Sequence, residues 1–161
     1  MKLDHISKIT AILVVAAVDL YGEDRVQTKR IVISIPDRKL VLLDGDRVLK
    51  VYDVAVGKAS TPTPQGDFRI VNRVQNPTWY GPSVVVPPGK NNPLGTRWMG
   101  LSVKGYGIHG TNAPSSIGKA ASHGCIRMRQ ADLEELFGLV EVGMPVELRG
   151  ERPQILLAVA N

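Results

Sequence analysis

The sequence predicts a mainly β domain with one or two short helices, and three observations carry that reading. Apolar residues alternate with a period of two from Ile31 onward, as a half-buried strand requires. Aromatic residues make up only 5% of the chain while glycine (16) and proline (11) are plentiful, the composition of strands joined by turns. Helical spacing is clear in only one segment, Asp132–Phe137, where Leu133, Leu136 and Phe137 fall at i, i+3 and i+4. The 161 residues, 43% of them hydrophobic and 22% charged, suffice for one domain that buries an ordinary core without metals or disulfides.

The elements follow in order. Lys2 and Lys8 precede an apolar run, Ile9 to Val18, that is too short to span a bilayer as a helix. With small residues at Ala16 and Ala17, residues 1–27 are expected to be a signal peptide or N-terminal anchor plus a short linker. The competing reading is a buried or amphipathic N-terminal helix, because Asp4 weakens the basic region and Asp19 ends the run without a clean cleavage site. No second apolar stretch is of membrane-spanning length. A domain over 28–150 then opens with Ile31–Ile35, a turn at Pro36-Asp37-Arg38, and a strand at Lys39–Leu43. Asp44-Gly45 signals a tight hairpin into Val48–Val56.

Thr61-Pro62-Thr63-Pro64-Gln65-Gly66 is irregular, since two prolines remove backbone donors. Strand character resumes at Asp67–Val71. Residues 76–98 read as a long proline-punctuated loop around Val84-Val85-Val86, an expected binding lid, with a plain surface excursion as the alternative. Met99–Val103 and Gly107–His109 are short strands. The helix at Asp132–Phe137 has acidic residues in its first turn and an expected exit at Gly138. Pro145–Leu148 is a last strand, and the 151–161 tail is weakly determined.

The net charge of +5 and the isoelectric point near 9.5 point to an anionic partner only diffusely. Lys and Arg are scattered and lack the clustered, aromatic-interleaved patch of a nucleic-acid interface, so no nucleic-acid partner is expected. An anionic polymer such as a bacterial envelope suits the charge at least as well.

The one cysteine, Cys125, lies in Ser122-His123-Gly124-Cys125-Ile126-Arg127, sixteen residues after His109. Nucleophilic catalysis by cysteine needs a thiolate, a base or cation to stabilise it, and donors for the oxyanion. Cys125 supplies the first and His109 is the candidate for the second. Gly124, beside Ser122, allows a tight turn whose amides can face a substrate carbonyl. Arg127, two residues on, projects to the same side of a strand as Cys125 and can bind a carboxylate bidentately. His123 is expected to stabilise the turn rather than act as base. Two alternatives stay open at this point: a buried inert cysteine, and a zinc site using His109, His123 and Cys125, which lacks a fourth ligand or a CxxC pair.

The runs Gly105-Tyr106-Gly107-Ile108-His109-Gly110-Thr111-Asn112, Ile117-Gly118 and Ser122–Met128 resemble the catalytic signature of the L,D-transpeptidases of the YkuD type. The resemblance extends to Val56-Gly57, Thr63–Phe68, Asn76–Trp79, Asn92–Gly95, the Asp132–Phe137 helix and Gly143–Val146, about residues 29–149 in all. It implies a β-sandwich-like domain acting on peptidoglycan stem peptides in the bacterial envelope, with no cofactor and no metal. Cys125 would be the nucleophile and His109 its acid/base partner, with the Gly110 carbonyl fixing the imidazole in the place of a triad carboxylate. Ser122, His123 and Gly124 would support the turn and the oxyanion. Arg127 stands where many members carry Asn. Arg127, Tyr106, Trp79 and Trp98, with Tyr80, are the candidate substrate contacts. The implied reaction is acyl transfer through a cysteinyl thioester. Its alternatives are hydrolysis of the same thioester, as an L,D-carboxypeptidase or endopeptidase, and a non-catalytic wall-binding module.

Overall fold

The structure, a computed structural model, describes residues 28–159; the expected leader lies outside the described residues. Three strands form the opening meander, β1 (Lys29–Ser34), β2 (Lys39–Asp44) and β3 (Arg47–Gly57). β4 (Gly66–Gln75), the pair β5 (Trp79–Tyr80) and β6 (Val85–Val86), β7 (Arg97–Leu101) and β8 (Gly107–His109) follow. After a 3-10 turn at Pro114–Ser116 come β9 (Ala120–Ser122), β10 (Ile126–Met128), helix α1 (Gln130–Leu139), β11 (Pro145–Arg149) and helix α2 (Gln154–Val159). The first hairpin turns one residue later than Asp44-Gly45 suggested. Asp44 pairs with Arg47, so Gly45 and Asp46 form the loop. Gly45, at φ +57°, takes the first loop position, where a type II′ turn demands positive φ.

The expected mainly β, sandwich-like architecture is present, and two long strands create it. β3 pairs with β2 along Arg47–Asp53, then with β10 at Val54 and Ala55 and with β9 at Val56 and Gly57. β4 pairs with β11 along Gly66–Arg69 and with β7 from Ile70 to Gln75. The ladder therefore runs β10-β8-β7-β4-β11-β1-β2-β3 and returns to β10, closing around one core. β1 and β11 are parallel, as are β8 and β10.

Alternation sorts the side chains. Ile31, Ile33, Leu40, Leu42, Val54, Ile70, Met99, Ile108, Ile126, Met128, Val146 and Leu148 fill the interior. Val32, Val41 and Leu43 point out the other side of the meander and are covered by Leu156 of α2, so the undetermined tail is a short docked helix. Arg152 ties that helix's entry to Asp37 in the β1–β2 turn. Leu133, Leu136 and Phe137 of α1 are buried, each contributing about 1.5–3 kcal/mol.

α1 runs through Gly138, where an exit was expected. Its end is capped from outside the helix: Arg73 of β4 donates to the Phe137 carbonyl, and its guanidinium carbon lies 4.1 Å from the centroid of the Phe137 ring. A cation at the helix C-terminus complements the dipole, and no local sequence signal announces one contributed by a distant strand.

The 76–98 segment is more ordered than a loop. β5 and β6 pair within it, and Asn92, 1% exposed, ties it together. The Asn92 amide donates to the carbonyls of Pro77 (2.8 Å), Val86 (3.1 Å) and Pro87 (3.2 Å), while its oxygen accepts the Leu94 amide at 2.8 Å.

Candidate active site

The turn between β9 and β10 presents Cys125. Gly124 adopts φ +113°, and a Cβ there would sit 2.5 Å from the Tyr106 ring, so only glycine fits. Ser122 staples the turn: its buried hydroxyl accepts the Gly124 amide at 3.0 Å and donates to the Cys125 carbonyl at 2.6 Å. Beneath it lies the proline-rich loop after β3. Thr61 donates to the Ser122 carbonyl at 3.1 Å, and Thr63 donates to the Gly124 carbonyl at 2.9 Å while accepting the Gly57 amide at 2.9 Å. These two threonines support the turn from a segment whose prolines predict only irregular loop. Their signal was two hydroxyls interleaved with prolines directly after Gly57.

His109 ends β8 and is 6% exposed. Its Nδ1 lies 2.6 Å from the Gly110 carbonyl oxygen. A carbonyl only accepts, so Nδ1 carries the proton and Nε2 keeps a lone pair. Gly110 is itself clamped. Its amide donates to the Leu94 carbonyl at 2.8 Å, and its Cα packs against Gly95. On the other side, the Trp98 indole stacks on the imidazole with centroids 5.7 Å apart and planes 21° from parallel.

The electrostatics favour neutral forms. Burial pushes His109 down to about 4, with the Arg127 charge adding to the depression and the Gly110 carbonyl opposing it. Burial raises the Cys125 thiol, against smaller opposing effects of the Gly107 amide and Arg127. Both shifts favour the neutral thiol and imidazole over an ion pair. The thiol contacts the Gly105 carbonyl at 3.6 Å, and no hydrogen bond joins it to His109 among the described residues.

Cys125 and His109 nonetheless open into one cavity of about 430 Å³. Ser122, Arg127 and Trp98 line it from the sheet, His123 from the β9–β10 turn, and Thr78, Trp79, Tyr80, Pro93 and Leu94 from the 76–98 segment. Gly110 and Gly124 act from behind the lining. Two expectations change. His123 is exposed on the cavity wall, and the turn is stabilised by Ser122, whose short side chain reaches both backbone groups. Tyr106 lies against Gly124 and the core rather than in the cavity lining. Arg127 has no carboxylate partner among the described residues, and no three His, Cys, Asp or Glu side chains among them gather as a metal-binding group. No helix among the described residues is long and apolar enough to cross a membrane.

Comparison with known proteins places this geometry. The sequence profile of YkuD, the L,D-transpeptidase catalytic domain, matches residues 28–148. YkuD of Bacillus licheniformis, assigned by name as an L,D-transpeptidase, is 47% identical over 119 residues, 74% of this chain and 64% of that protein. Its Bacillus subtilis namesake is 45% identical over 118 residues, 73% of this chain and 64% of that protein. The match thus spans just under two thirds of the length of these relatives. The solved catalytic domain of the E. faecium L,D-transpeptidase superposes with a TM-score of 0.62 at 28% identity, covering 78% of this chain and 99% of that domain. With the profile and these relatives agreeing over the folded region that builds the Cys125 cavity, the chain belongs to the YkuD family of L,D-transpeptidase catalytic domains.

Proposed function

We propose that this chain is a cysteine-dependent peptidoglycan L,D-transpeptidase. One observation carries the reading: a nucleophile and an imidazole with a free Nε2 share a cavity, the ring held by the Gly110 carbonyl. Because thiol and base rest neutral, proton transfer accompanies attack. Rotation of the thiol away from Gly105 brings its proton to Nε2 as sulfur bonds to the carbonyl carbon of the third stem residue. The C–N bond to the terminal D-alanine breaks, and the imidazolium returns the proton to the leaving amine. An acceptor amine then loses a proton to Nε2, attacks the thioester and regenerates the thiol.

The Gly124 amide is engaged by Ser122, so the oxyanion donor assigned to this turn is the Cys125 amide. A donor of this kind is typically worth about 3 kcal/mol of barrier. Arg127, free of an acidic partner, receives a stem carboxylate, and Trp79 and Tyr80 flank the peptide. The proposed setting is the cell envelope, reached through the apolar segment at 9–18.

Incubation of the purified protein with tetrapeptide stems, followed by mass spectrometry, tests this. Free D-alanine and a cross-linked dimer are expected. Tripeptide alone would reassign the enzyme as a hydrolase, and unchanged stems would defeat both enzymatic readings. Full activity in Cys125→Ala would remove Cys125 as nucleophile.

A further inference from the structure

The imidazolium that this mechanism requires has no anion to stabilise it. Its Nδ1 proton goes to a neutral carbonyl, and no carboxylate pairs with His109 among the described residues. Arg127, reaching the cavity from β10, opposes a positive ring. The other titratable groups lining the cavity are Cys125 and His123, from the catalytic turn, and Tyr80, from the 76–98 segment, none of them a carboxylate. β7 brings no charge to the ring, since Arg97 is directed to Glu134 and the Phe137 face, and α1 packs behind Gly110 through the apolar Leu133.

What β7 does bring is Trp98, the cross-strand partner of His109. The indole is held on three sides. Its Nε1 donates to Asn72 Oδ1 at 3.1 Å, and the same oxygen accepts the Gly100 amide at 3.2 Å. Gly107 leaves the space that the six-membered ring occupies, since a Cβ there would come within 2.6 Å of two indole carbons. The remaining face is stacked on the imidazole. A large aromatic ring anchored at its polar end and packed over a glycine is a fixed surface, and its π face carries negative potential.

We propose that Trp98 is a positioning residue for His109, holding the imidazole plane and stabilising the imidazolium formed when Cys125 transfers its proton. This rests on the acyl-transfer reading and adds to it. Trp98 lines the cavity as a substrate wall would, yet its broad face is committed to the base. In this site the aromatic ring and the Gly110 carbonyl together replace a triad carboxylate, the carbonyl fixing tautomer and the indole supplying the favourable potential.

The test compares the parent with Trp98→Leu, Trp98→Phe and Asn72→Leu. Acylation is followed by intact mass with a tetrapeptide donor and a carbapenem, and the His109 ring nitrogens are followed by NMR as pH is lowered. Trp98→Leu is expected to slow acylation by about tenfold, with donor KM nearly unchanged and the His109 titration midpoint lowered. Trp98→Phe, which keeps a π face, restores most of the rate, and Asn72→Leu, which frees the indole, falls between. An unmoved titration midpoint in the Trp98 variants, or a loss confined to KM, would overturn the proposal and leave Trp98 a substrate wall. If Trp98→Leu does not fold, Trp98→Phe and Asn72→Leu still decide through the same midpoint. Failure of the parent to acylate would instead defeat the acyl-transfer reading, while the NMR midpoints would still report on the stack.

Discussion

The hydroxyl of Thr63 joins two backbone groups that are 67 residues apart in the chain, accepting the Gly57 amide and donating to the Gly124 carbonyl, both at 2.9 Å. It ties the end of β3 to the residue before Cys125. Thr63 is buried, so neither backbone group has water as a substitute. Thr63→Val keeps the shape and removes both bonds, and is expected to lower stability by about 2–3 kcal/mol. With the turn less fixed, acylation of Cys125 should slow in Thr63→Val and recover in Thr63→Ser. Urea unfolding together with carbapenem acylation rates checks this; a Thr63→Val protein of parental stability and rate would show the bridge to be idle.

Cys125 itself carries the second prediction. Burial holds the thiol above its ordinary range, and His109 does not donate to it in the resting site. Thiolate is the reactive form towards simple alkylating agents, so the rate of iodoacetamide modification should climb through pH 9 without a plateau near neutrality. A plateau already reached at pH 6–7 would reveal a resting thiolate–imidazolium pair and reverse the proton order proposed above. His109→Gln should leave this alkylation profile nearly unchanged while abolishing acylation by stem peptide.

These two residues also show how legible the site was in the sequence. Ser122-His123-Gly124-Cys125 and His109-Gly110 are contiguous, chemically distinctive runs, so a candidate nucleophile and a candidate base stand out directly, and the His109–Gly110 bond is a contact between neighbours. The opening meander was equally readable, because alternation is a local pattern that one buried face imposes. What escaped depends on contacts distant in sequence. Thr63 gains its role from Gly124, Asn92 from Pro77 and Val86, and the end of α1 from Arg73. β9 and β10 are three residues each, too short for periodicity, and exist because β3 and β8 offer them edges. Because neighbours in a tight loop rarely both face a substrate, the sequence suggests His123 for the turn, yet a small hydroxyl at Ser122 reaches both backbone groups and leaves the imidazole outside.

Burial of His109 makes stability depend on pH. In the unfolded chain His109 titrates near the ordinary 6.5, whereas in the folded protein it is held down to about 4. Between those values the unfolded state binds a proton that the folded state refuses, so stability is full above pH 6.5 and falls as pH drops towards 4. The gap corresponds to at most about 3 kcal/mol. His109→Gln should flatten this portion of the curve. Urea midpoints at pH 7.5 and pH 4.5 measure it. An equal loss in parent and variant would mean that groups other than His109 set this part of the acid limb.

Asn92 is expected to separate binding from chemistry. Its side chain holds Pro77, Val86, Pro87 and Leu94 in one bundle, and Thr78, Trp79, Pro93 and Leu94 of that segment line the cavity. The proposed proton-transfer residues stand on other elements, His109 on β8 and Cys125 before β10. Asn92→Leu fills the same volume but leaves buried carbonyls and the Leu94 amide without partners, an expected loss of about 2–4 kcal/mol. Because the Leu94 carbonyl still receives the Gly110 amide through the backbone, the base should stay in place while the far wall loosens. The expected kinetic signature is a KM for stem peptide raised by about tenfold with kcat changed far less, since contacts made equally in ground and transition states are lost. Iodoacetamide, too small to use the wall, should modify Cys125 at the parental rate. A drop in kcat without a rise in KM would instead place Asn92 in the support of His109, acting through Leu94 and Gly110.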